Sequence, residues 1–343
     1  MTFNDEVSAL THAGSLLSED GQICAPYDLE VSGTFAKRYR ALLAAPEIKN
    51  ANAEPFEINY GDFARVHVIN GMGVTLGDSI IGLTALSAIR KRHPAVSFTI
   101  YRPRRAPEYV RQLYRLAEPL FGTVVDLPVH IDQVPATELR VDVGNHLFWS
   151  GFATMPMVDF FLWALGVSPQ SVNPEDKSNE WLKLLPLPNV SHDRIPRDYV
   201  LLCPTASTRV RSIPPSLCPE LVERLWTKFG LPVLGFGGVD HPRYTDITDR
   251  SPDTASFLAW IKSARFLLTS DSAAVHIAAG FDVPTLAFFT TIAAQMRVRD
   301  YRACTAIDLP VPDLAGIQAS GRERDLAIIE RAFSAFMGTN WTL

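Results

Sequence analysis

Hydrophobic and polar positions alternate between two registers along most of this chain. A β-branched run, Val66-His67-Val68-Ile69, stops at the glycine-rich stretch Asn70 to Gly77, and apolar residues then recur with helical spacing to about Arg92. The pattern predicts a buried strand, a turn where backbone comes close to a ligand, and a helix capped by Asp78 or Ser79. The same alternation predicts strands near 96–101, 122–126 and 139–143 and helices near 105–118 and 155–165, hence a parallel sheet covered on both faces. A second series starts at Tyr199-Val200-Leu201-Leu202-Cys203. It continues with a helix near 215–229, the strand Pro232 to Phe236, a helix at 253–264, a strand at 265–269, a helix at 272–280 and a strand at 284–289.

The fold class expected is therefore α/β, with two Rossmann-like domains, parallel sheets and an interdomain cleft at the carboxyl ends of the strands. Residues 1–60 read as an N-terminal extension packed on the first domain, with one helical stretch over Gly33 to Ala45. The first domain spans 61–167. A linker rich in Pro, Asn, Ser and charge spans 168–197, punctuated by Pro169, Pro174, Pro186, Pro188 and Pro196. The second domain spans 198–321. The closing segment 322–343 carries a helix from about Arg322 to Phe336, with Leu326, Ile328, Ile329, Ala332, Phe333 and Phe336 on one face.

Composition narrows the class. The 343 residues suit two ordinary domains, and 47% hydrophobic with 20% charged residues describes a globular protein. A net charge of -5 argues against a nucleic-acid binder. Cys24, Cys203, Cys218 and Cys304 lie far apart, without metal-ligand spacing, as reduced thiols of a cytoplasmic protein would. The start of the chain lacks the basic and apolar regions of a signal peptide, and no apolar run is long enough to span a membrane.

Three segments carry candidate chemistry. Gly71, Gly73 and Gly77 stand one residue too wide for a dinucleotide fingerprint, and no acidic residue ends the following strand, which disfavours an NAD site. Asp78 is open to two readings, a helix cap or a general base aimed at an acceptor hydroxyl. In Cys203 to Pro214, the candidates Thr205, Ser207, Thr208, Arg209 and Arg211 follow a buried strand and suit a diphosphate, as does Gly237 after the next strand; an exposed loop is the alternative. In Phe266 to Leu286, a strand runs straight into a helix, so amides near Asp271, Ser272 and Ala273 face an anion; the alternative makes Asp271 or Ser272 a simple cap and His276 a satisfied helix histidine.

Between Arg90 and Arg115 lie the basic residues Arg90, Lys91, Arg92, Arg102, Arg104, Arg105, Arg111 and Arg115 against the single acid Glu108. Such an excess suits an anionic partner, or merely a solvated face. No D-x-D and no His/Cys/Asp cluster with metal spacing occurs, so no metal is expected.

Gly77 to Pro94, the loop ending Arg211-Ser212-Ile213-Pro214, and Asp271 to Thr285, in this order and separation, resemble the heptosyltransferases of glycosyltransferase family 9. The resemblance covers about Val66 to Phe289. It implies a GT-B fold and metal-independent, inverting transfer of a sugar, typically from ADP-heptose to a lipopolysaccharide core, without a cofactor. It further implies Asp78 as general base, Arg211 on the diphosphate, and Asp271 and His276 on the donor side. Gly77, Arg102, Arg104 and Arg105 are the expected acceptor side. The partners implied are a nucleotide sugar and an anionic glycolipid or glycan, with peripheral association at a membrane face. Where the family usually shows Gly-Pro-Thr, this chain has Thr290-Thr291-Ile292, in which Thr290 can still donate a hydroxyl. Arg211 stands where lysine is usual, which keeps the charge and changes its geometry. The altered loop leaves a non-catalytic nucleotide-sugar binder as the alternative, and the long N-terminal stretch leaves a protein or capsule acceptor as another.

Overall fold

The computed structural model describes residues 2–3, 5–33, 38–45, 47–190, 197–339, 341 and 343. The chain divides into two compact units, Met1–Lys177 and Ser178–Leu343.

In chain order the first unit contains β1 (Thr2–Phe3), α1 (Glu6–Leu10), β2 (Leu16–Ser18), β3 (Gln22–Cys24), α2 (Pro26–Ser32), β4 (Tyr39–Ala41), β5 (Ile48–Lys49), β6 (Arg65–Ile69), α3 (Leu76–Arg92), β7 (Ser97–Pro103), α4 (Glu108–Phe121), β8 (Gly122–Leu127), β9 (Val129–His130), β10 (Leu139–Asp142) and α5 (Met157–Ala164). The main sheet is parallel, in the order β5-β10-β6-β7-β8. From β6 the chain steps outward through β7 to β8, then returns to place β10 on the other side of β6. The strand order therefore reverses between β6 and β10, the place where the loops leaving the carboxyl ends of such a sheet diverge. Helix α3 follows β6 and is buried on almost every side, which explains its nearly continuous apolar sequence. Its Gly82 admits Met72 from the glycine turn, since a Cβ there would lie 2.5 Å from the Met72 sulfur.

Residues 1–60 are built into the first unit. Strands β1, β4, β2 and β3 build an antiparallel sheet that ends on β9, and β5 is an edge strand of the main sheet. Ser15 donates its backbone N–H and its hydroxyl to the buried Asp142 carboxylate, each at 2.8 Å. Among the described residues of Gly33 to Ala45 no α-helix forms. Gly33 at φ 61° closes α2, residues 34–37 lie outside the described residues, and Tyr39, Arg40 and Ala41 alternate buried, exposed, buried as a strand. Pairing with strands on both sides overrode a weak helical pattern.

The second unit contains β11 (Val200–Cys203), α6 (Cys218–Phe229), β12 (Val233–Gly235), β13 (Tyr244–Asp246), α7 (Thr254–Ser263), β14 (Phe266–Ser270), α8 (Ala273–Gly280), β15 (Thr285–Phe289), β16 (Cys304–Asp308) and α9 (Glu323–Met337). Its sheet is parallel, in the order β13-β12-β11-β14-β15-β16, and reverses between β11 and β14. The last helix belongs to this core: Ile329, Phe333 and Met337 pack with Val200, Leu202 and Phe288.

The boundary between the two units falls within the proline-rich stretch, whose described part is largely in short turns. Residues 169–171 and 174–177 form tight turns on the first unit, where Lys177 meets Asp159 at 2.7 Å. Asn179 donates to the His276 carbonyl (2.9 Å) and the Tyr301 hydroxyl (2.8 Å) of the second. Residues 191–196 of that stretch lie outside those described. Among the described residues no helix is long and apolar enough to cross a membrane.

All four cysteines are free. Burial pushes the thiols of Cys203 and Cys304 up to about 12 and that of Cys218 up to about 11. The unfolded chain would lose these protons from the ordinary value of 9.0 upward, while the native state keeps them. Their contribution to stability is thus complete below that value and lost as pH rises toward 11 and 12, with buried Tyr60, Tyr199 and Tyr301 acting in the same sense. Urea midpoints should fall between about pH 8 and about pH 10; a flat or rising midpoint would contradict this.

Candidate functional site

Each unit places its chemistry where its strand order reverses. In the first, the loop after β6 is held in an unusual backbone path, with Asn70 at φ 50°, Met72 at φ 64° and Gly73 at φ 66°. Gly73 is required there. A Cβ at this position would lie 2.6 Å from Cε1 of His146 and 2.8 Å from Oδ2 of Asp78, in a backbone conformation that side chains already disfavour.

Asp78 does not cap its helix, and neither does Ser79. Thr75 does, its hydroxyl accepting the Asp78 N–H at 3.2 Å, and the acid three residues later completes a spacing known for helix starts. Asp78 lies in the first turn, its side chain 19% exposed, and its Oδ2 is 3.6 Å from Nε2 of His146. His146 enters from the turn after β10. Gly77 precedes Asp78 in the same turn and is half-buried.

The expected acceptor-side arginines part company. Arg102 is buried beneath the glycine turn, where it donates to the Gly71 carbonyl and, at 3.0 Å, to the Tyr114 hydroxyl. Burial works against its charge, and Tyr114 and Asp78 support it. It props the turn and presents no surface to an acceptor. Arg104 and Arg105 are exposed, their backbone N–H groups donating to Asp28 at 2.9 and 2.7 Å. Several other charges of the basic run are met within the chain: Lys91 by Asp176, Arg92 by the Ser171 hydroxyl, and Arg111 and Arg115 by Glu108.

In the second unit, Asp271 directly follows β14, with its side chain 2% exposed. Arg211, from the short turn after β11, donates through Nη1 to its Oδ2 at 3.1 Å and through Nη2 to the Ser207 hydroxyl at 2.7 Å. Nε of Arg211 is buried without a hydrogen-bond partner. Arg297 stands on the other side, with Nε 3.9 Å from Asp271 Oδ1 and Nη2 3.1 Å from Gln318. One carboxylate therefore lies within ion-pair distance of two guanidinium groups at the carboxyl edge of the sheet. Ser272 caps α8 by accepting the Ala274 N–H, and Ala273 contributes one of the free first-turn amides. The hydroxyls of Ser270 and Thr291, at the ends of β14 and β15, are buried without partners.

The other expected residues divide. Thr290 binds the Val210 carbonyl at 2.7 Å and so steadies the Arg211 turn; Thr208 receives the Ser320 N–H at 3.2 Å. Thr205 and Arg209 are exposed on the same loop. Gly237, at φ 94° beyond β12, is pinned by Asp246 and Thr248. His276 points inward, its Nδ1 2.8 Å from the Tyr301 hydroxyl, as a satisfied helix histidine would. Among the described residues no group of His, Cys, Asp and Glu is placed to hold a metal ion.

Sequence reasoning missed His146 and Arg297. Both follow β-strand ends by several residues, and only the strand order brings them to Asp78 and Asp271.

No protein-family model matches the chain, and no curated protein matches it. Solved structures do. A glycosyl transferase family 9 protein from Veillonella parvula is 15% identical over 82% of this chain and 98% of its own, with a TM-score of 0.52. The Escherichia coli heptosyltransferase WaaC with ADP-2-deoxy-2-fluoro heptose is 13% identical over 81% and 100%, with a TM-score of 0.47. The iron-containing dodecameric glycosyltransferase TibC of enterotoxigenic E. coli is 11% identical over 81% and 80%, at 0.48. At such identities likeness speaks for fold, and the chain shares its fold with the Veillonella glycosyltransferase family 9 structure.

Proposed function

We propose that the protein is an inverting glycosyltransferase that uses a nucleotide-diphosphate sugar. The observation that carries this reading is the pairing of features at the two strand-order reversals: a carboxylate beside a glycine turn in one unit, two guanidiniums and a helix start in the other. In this scheme Asp78 takes the proton of the acceptor hydroxyl. The acceptor oxygen bonds to the anomeric carbon from the face opposite the diphosphate, and the bond to the diphosphate oxygen breaks with its electron pair. Arg211, Arg297 and the amides of α8 stabilise the charge that gathers on the leaving group, a task the scheme does not give to a metal ion.

The segments matching heptosyltransferases make ADP-heptose the first donor to test, and a lipopolysaccharide core sugar the first acceptor. An anionic glycolipid acceptor would bring the protein to a membrane face, with Arg104 and Arg105 as its exposed cations. The test is release of nucleoside diphosphate from a panel of nucleotide sugars with glycan acceptors, followed by the anomeric configuration of the product. Acceptor-dependent release with inversion is expected. Tight donor binding without turnover on any acceptor would favour the non-catalytic alternative suggested by Thr290-Thr291-Ile292.

A further inference from the structure

His146 has no assigned part in the scheme above, yet its surroundings are specific. Its ring is packed among Phe152, Phe160 and Phe161, with centroids 4.7, 5.9 and 5.2 Å away. The turn that carries it is tied down on both sides. Asn145, at φ 52°, donates to the carbonyls of Leu10 and His12 at 2.8 and 2.7 Å, and the Trp149 indole donates to the Gly144 carbonyl at 3.0 Å. Its Nε2 is buried without a hydrogen-bond partner. Oδ2 of Asp78 lies 3.6 Å from that nitrogen, and Gly73 leaves room beside both, since a Cβ there would meet the His146 ring and the Asp78 carboxylate.

A buried, unpartnered ring nitrogen costs free energy unless a partner arrives. At 3.6 Å the two atoms are just beyond hydrogen-bond range, a separation that commonly shortens once a substrate is seated. Taking the proposed function as given, we infer that His146 is a positioning residue for Asp78, donating from Nε2 to Oδ2 and so aiming the other carboxylate oxygen at the acceptor hydroxyl. The phenylalanine cage fixes the ring plane, and the Asn145 and Trp149 bonds fix its height above the sheet. A donor held in this way favours one carboxylate orientation, so that proton transfer starts from one geometry.

Two measurements test this. The first does not need turnover: nitrogen NMR of the labelled imidazole should show the proton on Nε2 in the wild-type protein, and that preference should be lost in Asp78→Ala. The second is kinetic. His146→Phe keeps the aromatic packing and removes the donor, and should lower kcat by about 10²-fold with the donor KM and thermal midpoint unchanged. His146→Gln restores a side-chain N–H and should recover most of the loss. An unchanged tautomer in Asp78→Ala, or a His146→Phe enzyme with wild-type kcat, would overturn the inference. Absence of transfer by the wild-type protein would instead overturn the functional reading, and the NMR result would then still decide whether the pair exists.

Discussion

Asp78→Asn should lower kcat for sugar transfer by about 10²–10⁴-fold, the range of a lost general base, while the donor KM stays close to that of the wild type. The substitution preserves shape and removes the proton acceptor. Thr75, not Asp78, satisfies the helix start, so the cap survives. The favourable placement of a negative charge in the first turn of α3 is lost as well, about 0.3–1 kcal/mol, which the fold should tolerate. The expected signature is equal loss in kcat and kcat/KM for the acceptor, as follows when an interaction made only in the transition state is removed. Stopped assays with saturating donor, beside urea unfolding of the same preparation, separate this from unfolding. An Asp78→Asn enzyme with wild-type kcat would remove Asp78 as base.

Asp271→Ala should act on stability first. Its carboxylate lies within ion-pair distance of both Arg211 and Arg297, and all three side chains are largely buried, at 2%, 16% and 5% exposure. Removing it takes a counter-charge from two largely buried cations, a change that costs about 3–5 kcal/mol when a buried pair loses one member. The urea midpoint should fall accordingly with an unchanged slope. A nucleoside diphosphate should recover part of that loss, because an anion between the guanidiniums replaces the missing carboxylate. A midpoint within about 0.5 kcal/mol of the wild type, the size of an ordinary surface change, would mean that the cluster is solvated and that the electrostatics are wrong.

The parts of the fold that were legible in sequence are those whose periodicity is long and local. Helix α3, the strand and helix from Phe266 to Gly280, and the last helix fall within a few residues of their expected bounds, because each buries a face that its own spacing reveals. The first sixty residues were illegible for the opposite reason. Strands of two or three residues, such as Thr2–Phe3 and Ile48–Lys49, carry no periodicity and exist through pairing with distant partners. The site shows the same division. Asp78, Arg211 and Asp271 stand at glycine turns and strand ends that can be read locally. His146 and Arg297 reach them only because β10 lies beside β6 and the chain after β15 folds back, and neither strand order nor fold-back is encoded in a short window. One local signal was available and missed: Thr75 with an acid three residues later marks the true helix start.

The partition of labour between the units is the central claim, with donor diphosphate on the arginine pair of the second and proton transfer on the first. Its most direct test is calorimetric titration of ADP into the wild-type protein, Asp78→Asn and Arg211→Gln. Binding should be retained in Asp78→Asn and weakened by about 10-fold or more in Arg211→Gln, as expected when a charge-assisted hydrogen bond worth about 1.5–3 kcal/mol is lost. Equal binding by all three proteins, or binding that disappears only in Asp78→Asn, would contradict it.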